Sequence, residues 1–213
     1  MKALLSGLLL ATLAWLPGPA LAADTPQAGV DYVEIAGGQP WAARAGRIEV
    51  AEVFGYTCPH CARFEPMLRE WKARQPRDVD LVPVPAAFGG SWDTWARAYF
   101  AAAELDLLSR THDAVFAAIH GSGELPRNPS AQELARFYAR YGVSEDRFRE
   151  ALAEPSVDER IGRARAFARD SGLEGTPTLI VAGRYRVVGR TLEDSLRIAD
   201  WLVARERQAP AGR

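Results

Sequence analysis

Cysteine is nearly absent from this 213-residue chain, which has two, against 18 glycines and 14 prolines. A disulfide-dense scaffold is thereby excluded. A surplus of one charge is lacking as well: 26 Lys plus Arg face 27 Asp plus Glu, for a formal net charge of -1. Without a basic surplus to neutralise phosphates, nucleic acid is not expected as a partner. No phosphate-cradling glycine loop, H-E-x-x-H or G-x-S-x-G motif occurs, which removes the commonest nucleotide, zinc-protease and serine-hydrolase readings. After residue 22 no apolar run is long enough to cross a bilayer, which takes about 18 or more residues.

The one long apolar run lies at the start. Lys2 precedes a stretch from Ala3 to Leu16, Pro17-Gly18-Pro19 breaks it, and Ala20-Leu21-Ala22 forms an A-x-A cleavage site. Residues 1–22 read as a secretory signal peptide, removed from an exported protein. Their only charge is Lys2, so removal moves the net charge to -2. Export puts the remainder where disulfides persist, and the two cysteines become informative.

Cys58 and Cys61 form a single C-x-x-C. Such a pair can staple the chain, supply half of a metal site, or carry redox chemistry. Structural zinc takes four ligands, but there is no second cysteine pair, and His112 and His120 fall far along the chain in another helical stretch. A staple across so small a loop removes little entropy from the unfolded chain. Redox chemistry is the reading the spacing favours. Ile48 to Gly55 alternates and is bounded by Gly46 and Gly55, which predicts a strand. Ala62, Phe64, Met67, Leu68 and Trp71 then recur at helical spacing, and Pro59 suits a first helical position. Cys58 therefore falls at a helix cap, with Cys61 one turn on, at a separation a disulfide can close. Cys58 is expected to be the exposed sulfur, its thiolate favoured by the helix N-terminus and by His60 as donor or cation. A favoured thiolate stabilises the reduced form and makes the disulfide a stronger oxidant.

Glu52 shares the strand parity of Ile48, Val50 and Phe54, which places a carboxylate in an apolar row before Cys58. Burial would raise its pKa and suit it to proton handling. Further helices are predicted over 91–172, with Ser91 and Thr111 as caps, Ser130/Glu133 and Ser156/Glu159 as capping boxes, and Gly142 and Gly172 as stops. Leu179 to Ala182 and Tyr185 to Val188 read as a hairpin around Gly183, with Thr191 opening a last helix. Phe88, Trp92 and Trp95 are groove candidates, although aromatic residues at such positions are more often core. Arg160, Arg163, Arg165 and Arg169 read as a solvated helix face. The order is strand, strand, helix, strand, helical block, hairpin, helix, with residues 23–90 and 173–207 as one unit, 91–172 inserted, and a frayed tail at 208–213.

Phe54-Gly55-Tyr56-Thr57-Cys58-Pro59-His60-Cys61, followed by Phe64-Glu65, resembles the active site of the DsbA family of periplasmic thiol:disulfide oxidoreductases. Pro59 and His60 between the cysteines are that family's hallmark, and Gly175-Thr176-Pro177-Thr178 resembles its cis-proline loop. The resemblance implies an α/β thioredoxin fold, a mixed central sheet flanked by helices with an all-helical insertion. It implies a cis Thr176-Pro177 bond with Pro177 against the Cys58 sulfur, a Thr176 backbone that pairs with substrate, and Glu52 as the buried acid beneath the disulfide. Some relatives pair that acid with a lysine, and residues 79–84 contain none. The implied activity is donation of the Cys58-Cys61 disulfide to unfolded, reduced exported polypeptides in the periplasm. The resemblance further implies reoxidation by a membrane quinone-linked partner of the DsbB type; no bound cofactor or metal is expected, and nothing demands more than a monomer. The rivals are a reductase or isomerase on the same fold, whose isomerases carry a dimerisation region longer than Ala23 to Gly46, and a non-catalytic peptide-binding chaperone.

Overall fold

The computed structural model describes residues 25–209. The proposed signal peptide lies outside the described residues, apart from which no described helix is long and apolar enough to cross a membrane.

Strand β2 (Ile48–Phe54) is the axis of the molecule. It pairs in parallel with β3 (Val79–Pro85), Glu52 facing Pro83, and antiparallel with β4 (Thr178–Val181), Glu52 facing Leu179. With β5 (Tyr185–Val187) and β1 (Tyr32–Glu34) this makes a five-stranded mixed sheet in the order β1-β5-β4-β2-β3. Pro83 and Pro85 are tolerated because β3 is an edge, where a missing N–H breaks no ladder. The β4-β5 hairpin turns through Ala182 and Gly183, both at positive φ (52° and 67°), the sense of twist that suits a tight hairpin.

Helices α1 (Pro59–Arg74) and α7 (Leu192–Gln208) cover one face of the sheet. Val50, Phe64, Leu68, Trp71, Val181, Ile198 and Leu202 meet there as one apolar core. The other face, through Ala51, Val53 and Phe54, joins a larger core with α2 (Ser91–Glu104), α3 (Leu108–Phe116), α4 (Ala131–Ala139), α5 (Glu145–Leu152) and α6 (Pro155–Asp170). These five helices all fall between β3 and β4 in the chain. A π-helical turn, Ala117–Gly121, extends α3.

Several caps differ from expectation. Ser130 and Glu133 form a reciprocal capping box and Thr191 caps α7. Ser91, however, is the first residue of α2, which starts from Gly90 at φ 56°. Thr111 lies inside α3 and donates back to the Leu107 carbonyl at 2.9 Å, the common alternative for a mid-helix hydroxyl. Ser156 follows Pro155 within α6 and donates to Glu104 at 2.5 Å. Capping by Ser144 at α5 was not foreseen. Helix α7 runs through Gln208, so the tail expected from 208 does not begin there; residues 210–213 lie outside the described ones. The arginine face of α6 is not simply solvated. Arg160 lies over Phe100 at 4.6 Å, Arg163 over Trp41 at 4.0 Å, and Arg165 pairs with Asp93.

Candidate active site

The chain leaves β2 at Phe54 and passes through Gly55-Tyr56-Thr57 into α1, with Cys58 as N-cap and Pro59 at the first helical position. Only glycine fits at 55, because a Cβ there would lie 2.0 Å from the Trp92 ring. Both cysteines are free thiols. Cys61 is fully covered, and Cys58, expected to be exposed, keeps 8% of its surface open. The covering comes from the other end of the sequence. The Thr176-Pro177 bond is cis, and the Cys58 thiol donates to the Thr176 carbonyl oxygen at 3.4 Å.

This setting separates the two thiols. The Cys61 S–H donates to Cys58, and against partial burial this, the Thr176 side chain and the backbone N–H groups of Cys61 and His60 bring the Cys58 pKa down to about 5. Burial, the bond given to Cys58 and the nearby Glu52 push Cys61 far above the ordinary thiol range. The backbone, not the imidazole, is what His60 brings to Cys58. Its exposed ring accepts a hydrogen bond from Arg63 Nη2 on Nδ1 at 2.7 Å, and a guanidinium can only donate.

Glu52 is buried on the α1 face of β2, and its Oε1 has no hydrogen-bond partner among the described residues. Burial, then the charges of Glu65 and Cys58, raise its pKa well above the usual carboxylate range. Pro83 stands across from it on β3.

The helical block contributes more than the sequence indicated. His112 and His120, set aside as metal ligands, both reach Tyr56, at its hydroxyl (2.8 Å to Nδ1) and its carbonyl oxygen (2.7 Å to Nε2). Arg127 donates to the Thr57 carbonyl at 2.6 Å, and Trp95, a buried core residue, donates to the Arg127 carbonyl at 2.9 Å. The wider π turn carrying His120 is the kind of helix irregularity found at functional sites. No local signal links residues 112, 120 and 127 to residues 56 and 57; the fold alone brings them there. Glu49 was also missed. Its two oxygens accept the Trp41 and Ala42 N–H groups at 2.6 Å each, tying the leading segment to β2. Phe88 is exposed and packs at a tilt against Trp92, ring centroids 5.1 Å apart, beside a cleft formed with Arg165, Ala168, Arg169 and Leu173. Among the described residues no group of His, Cys, Asp or Glu could hold a metal.

Residues 49–199 match a model of the DSBA-like thioredoxin domain. The thiol:disulfide interchange protein DsbA of Pseudomonas aeruginosa is 35% identical over 200 residues, covering 92% of this chain and 93% of its own. That of Burkholderia cepacia is 33% identical over 207 residues, covering 95% and 96%. Among solved structures, the oxidoreductase DsbA from Xylella fastidiosa superposes with a TM-score of 0.84 at 53% identity, over 87% of this chain and all of that one. Pseudomonas aeruginosa DsbA gives 0.78 at 34% identity, over 87% and 96%. With a reactive dithiol at the head of α1 and these likenesses along most of its length, the chain belongs to the DsbA family of thiol:disulfide interchange proteins.

Proposed function

We propose that the chain is an exported thiol:disulfide oxidase that passes its Cys58-Cys61 disulfide to reduced, unfolded polypeptides in the periplasm. The observation that supports this best is the separation of the two thiols, one brought down to about 5 and the other raised by burial. A substrate thiolate attacks the Cys58 sulfur because Cys58 is the accessible one. The Cys58–Cys61 bond breaks, the electron pair goes to Cys61, and Cys61 takes up a proton, for which the buried Glu52, whose charge acts on Cys61, is the acid–base group. A second substrate thiolate then attacks the mixed disulfide at the substrate sulfur. Cys58 leaves as a thiolate, a good leaving group for the reason that it ionises easily. The substrate departs oxidised and the protein is left with two thiols.

The flanking residues have assigned parts in this scheme. Pro59 starts α1 so that its free N–H groups face Cys58, and His60 contributes one of them. Thr176 and Pro177 cap the dithiol, and the Thr176 backbone can pair with an extended peptide in the manner of an added strand. Recharging by a membrane quinone-linked partner of the DsbB type completes the cycle, with no bound cofactor or metal.

The test is the redox equilibrium with glutathione, measured as a function of pH together with the unfolding stability of the oxidised and reduced forms. The folded pKa of Cys58 lies below its unfolded value. The reduced form's added stability is therefore full above about 9, declines as pH falls, and is lost below about 5. At neutral pH the reduced form is expected to be the more stable and the equilibrium oxidising, and Cys58→Ser should abolish oxidation of a reduced test protein. An equilibrium as reducing as that of a thioredoxin would make the chain a reductase.

A further inference from the structure

The acidic pair beneath the dithiol has a basic partner that comes from the helical block. His112 on α3 lies between Tyr56 and Glu65, its Nδ1 2.8 Å from the Tyr56 hydroxyl and its Nε2 3.3 Å from Glu65 Oε2. Glu65 belongs to α1, one turn beyond Cys61. The imidazole is edge-on to Phe54, Phe116 and Tyr99 of α2, with ring centroids at 5.0, 5.4 and 5.9 Å, and tilted against Tyr56 at 5.3 Å. His112 and Glu65 side chains are 13% and 16% exposed, so their contact is largely shielded from water. Asp113, next to His112, is taken by Arg69 of α1. On β3, where a cation facing Glu52 would stand, there is Pro83.

We propose that His112 is a positioning residue for the exchange reaction, the basic partner that balances Glu65 and so lets Glu52 exchange protons with Cys61. The inference rests on the assignment of Cys61 as the resolving thiol and Glu52 as its acid–base group. The electrostatics run in one direction. Glu65 raises the proton affinity of Glu52, and of the buried Tyr56 and Tyr99 hydroxyls. His112 Nε2 stands 3.3 Å from Glu65 Oε2, where a protonated imidazole offsets that charge and leaves a larger fraction of Glu52 as the carboxylate that can accept the Cys61 proton. The step concerned is resolution of a mixed disulfide at Cys58. Cys61 Sγ gives its proton to Glu52 and attacks Cys58 Sγ, the bond from Cys58 to the partner sulfur breaks, and the partner leaves as a thiolate. It is an internal exchange with no net gain or loss of electrons.

The probe is the glutathione mixed disulfide of Cys58, formed from the reduced protein and oxidised glutathione, its lifetime followed by acid quench and mass spectrometry across pH. His112→Phe keeps an aromatic ring in the cage and removes the base; His112→Gln keeps a donor and an acceptor and removes the ability to take a charge. In both, the lifetime at neutral pH is expected to lengthen about tenfold, the effect of moving the base by one pKa unit, with the pH profile displaced to higher pH. Placed on a Glu65→Gln background, where there is no charge to balance, either change should have no further effect. An unchanged lifetime and profile in a folded variant, or the same lengthening on the Glu65→Gln background, overturns the proposal and leaves His112 a packing residue. Failure of the underlying reading looks different: the wild-type protein itself would form no mixed disulfide at Cys58.

Discussion

The dithiol is held from two sides, and the two sides use different means. On the sheet side, α1 and the Thr176 segment meet the sulfurs with backbone groups: the N–H groups of His60 and Cys61 and the Thr176 carbonyl. On the helical side, α2, α3, the π turn and the segment before α4 hold the turn ahead of Cys58 with side chains, namely Trp92, Trp95, His112, His120 and Arg127. The Cys61 thiol, then the Thr176 side chain and the backbone N–H groups of the helix start, fix the charge state of Cys58. Side chains fix where the turn sits and can vary without altering the motif.

The sharpest way to break this division is Trp95→Ala. Trp95 is buried, packs edge-on to Tyr56 at 5.5 Å and holds the Arg127 carbonyl. Its loss is expected to cost about 3–5 kcal/mol of stability in urea unfolding. The groups that stabilise the Cys58 thiolate lie elsewhere, so its titration near 5 should persist in the folded variant. An ordinary thiol titration there would erase the distinction between the two sides.

The same division explains what could be read from the sequence. The strand before the motif, Pro59 at the helix start, the Ser130 capping box, the Thr191 cap and the hairpin at Gly183 are local signals, carried by residues a few positions apart, and each is where expected. Glu52 was legible because strand alternation is local too, although β2 is covered on both faces and alternation alone did not secure the burial. The links from His112, His120 and Arg127 to Tyr56 and Thr57 span 56, 64 and 70 positions. Sequence spacing carries no information at that range. The misread caps have a different cause: the Thr111 hydroxyl satisfies itself inside its helix on the Leu107 carbonyl, Ser156 reaches across to Glu104, and α2 starts from Gly90 ahead of Ser91, so a serine or threonine marks a candidate end and not the end itself.

A middle-sized effect tests the helical side more finely. Arg127 Nη1 reaches the Thr57 carbonyl, one residue before Cys58, at 2.6 Å. Arg127→Ala removes a charge-assisted hydrogen bond and leaves that carbonyl to find water, a loss of about 1.5–3 kcal/mol. Exchange with a reduced peptide should slow as well, because the turn that presents Cys58 loses an anchor. If stability falls and the exchange rate does not, the helical block supports the fold without positioning the nucleophile.

The smallest effect is expected farthest from both sides. Arg163 lies over the Trp41 ring at 4.0 Å, and Trp41 packs on Phe100 and Phe167, none of which is among the groups at Cys58. Arg163 is exposed, so the attraction between its guanidinium and the ring is worth about 0.5–1 kcal/mol. Arg163→Gln should lose that much in urea unfolding and leave both the Cys58 titration and the exchange rate as they were. A slowed exchange in this variant would mean that the helical block transmits its packing to the turn as a whole, and that the anchors at Tyr56 and Thr57 are only its nearest points of contact.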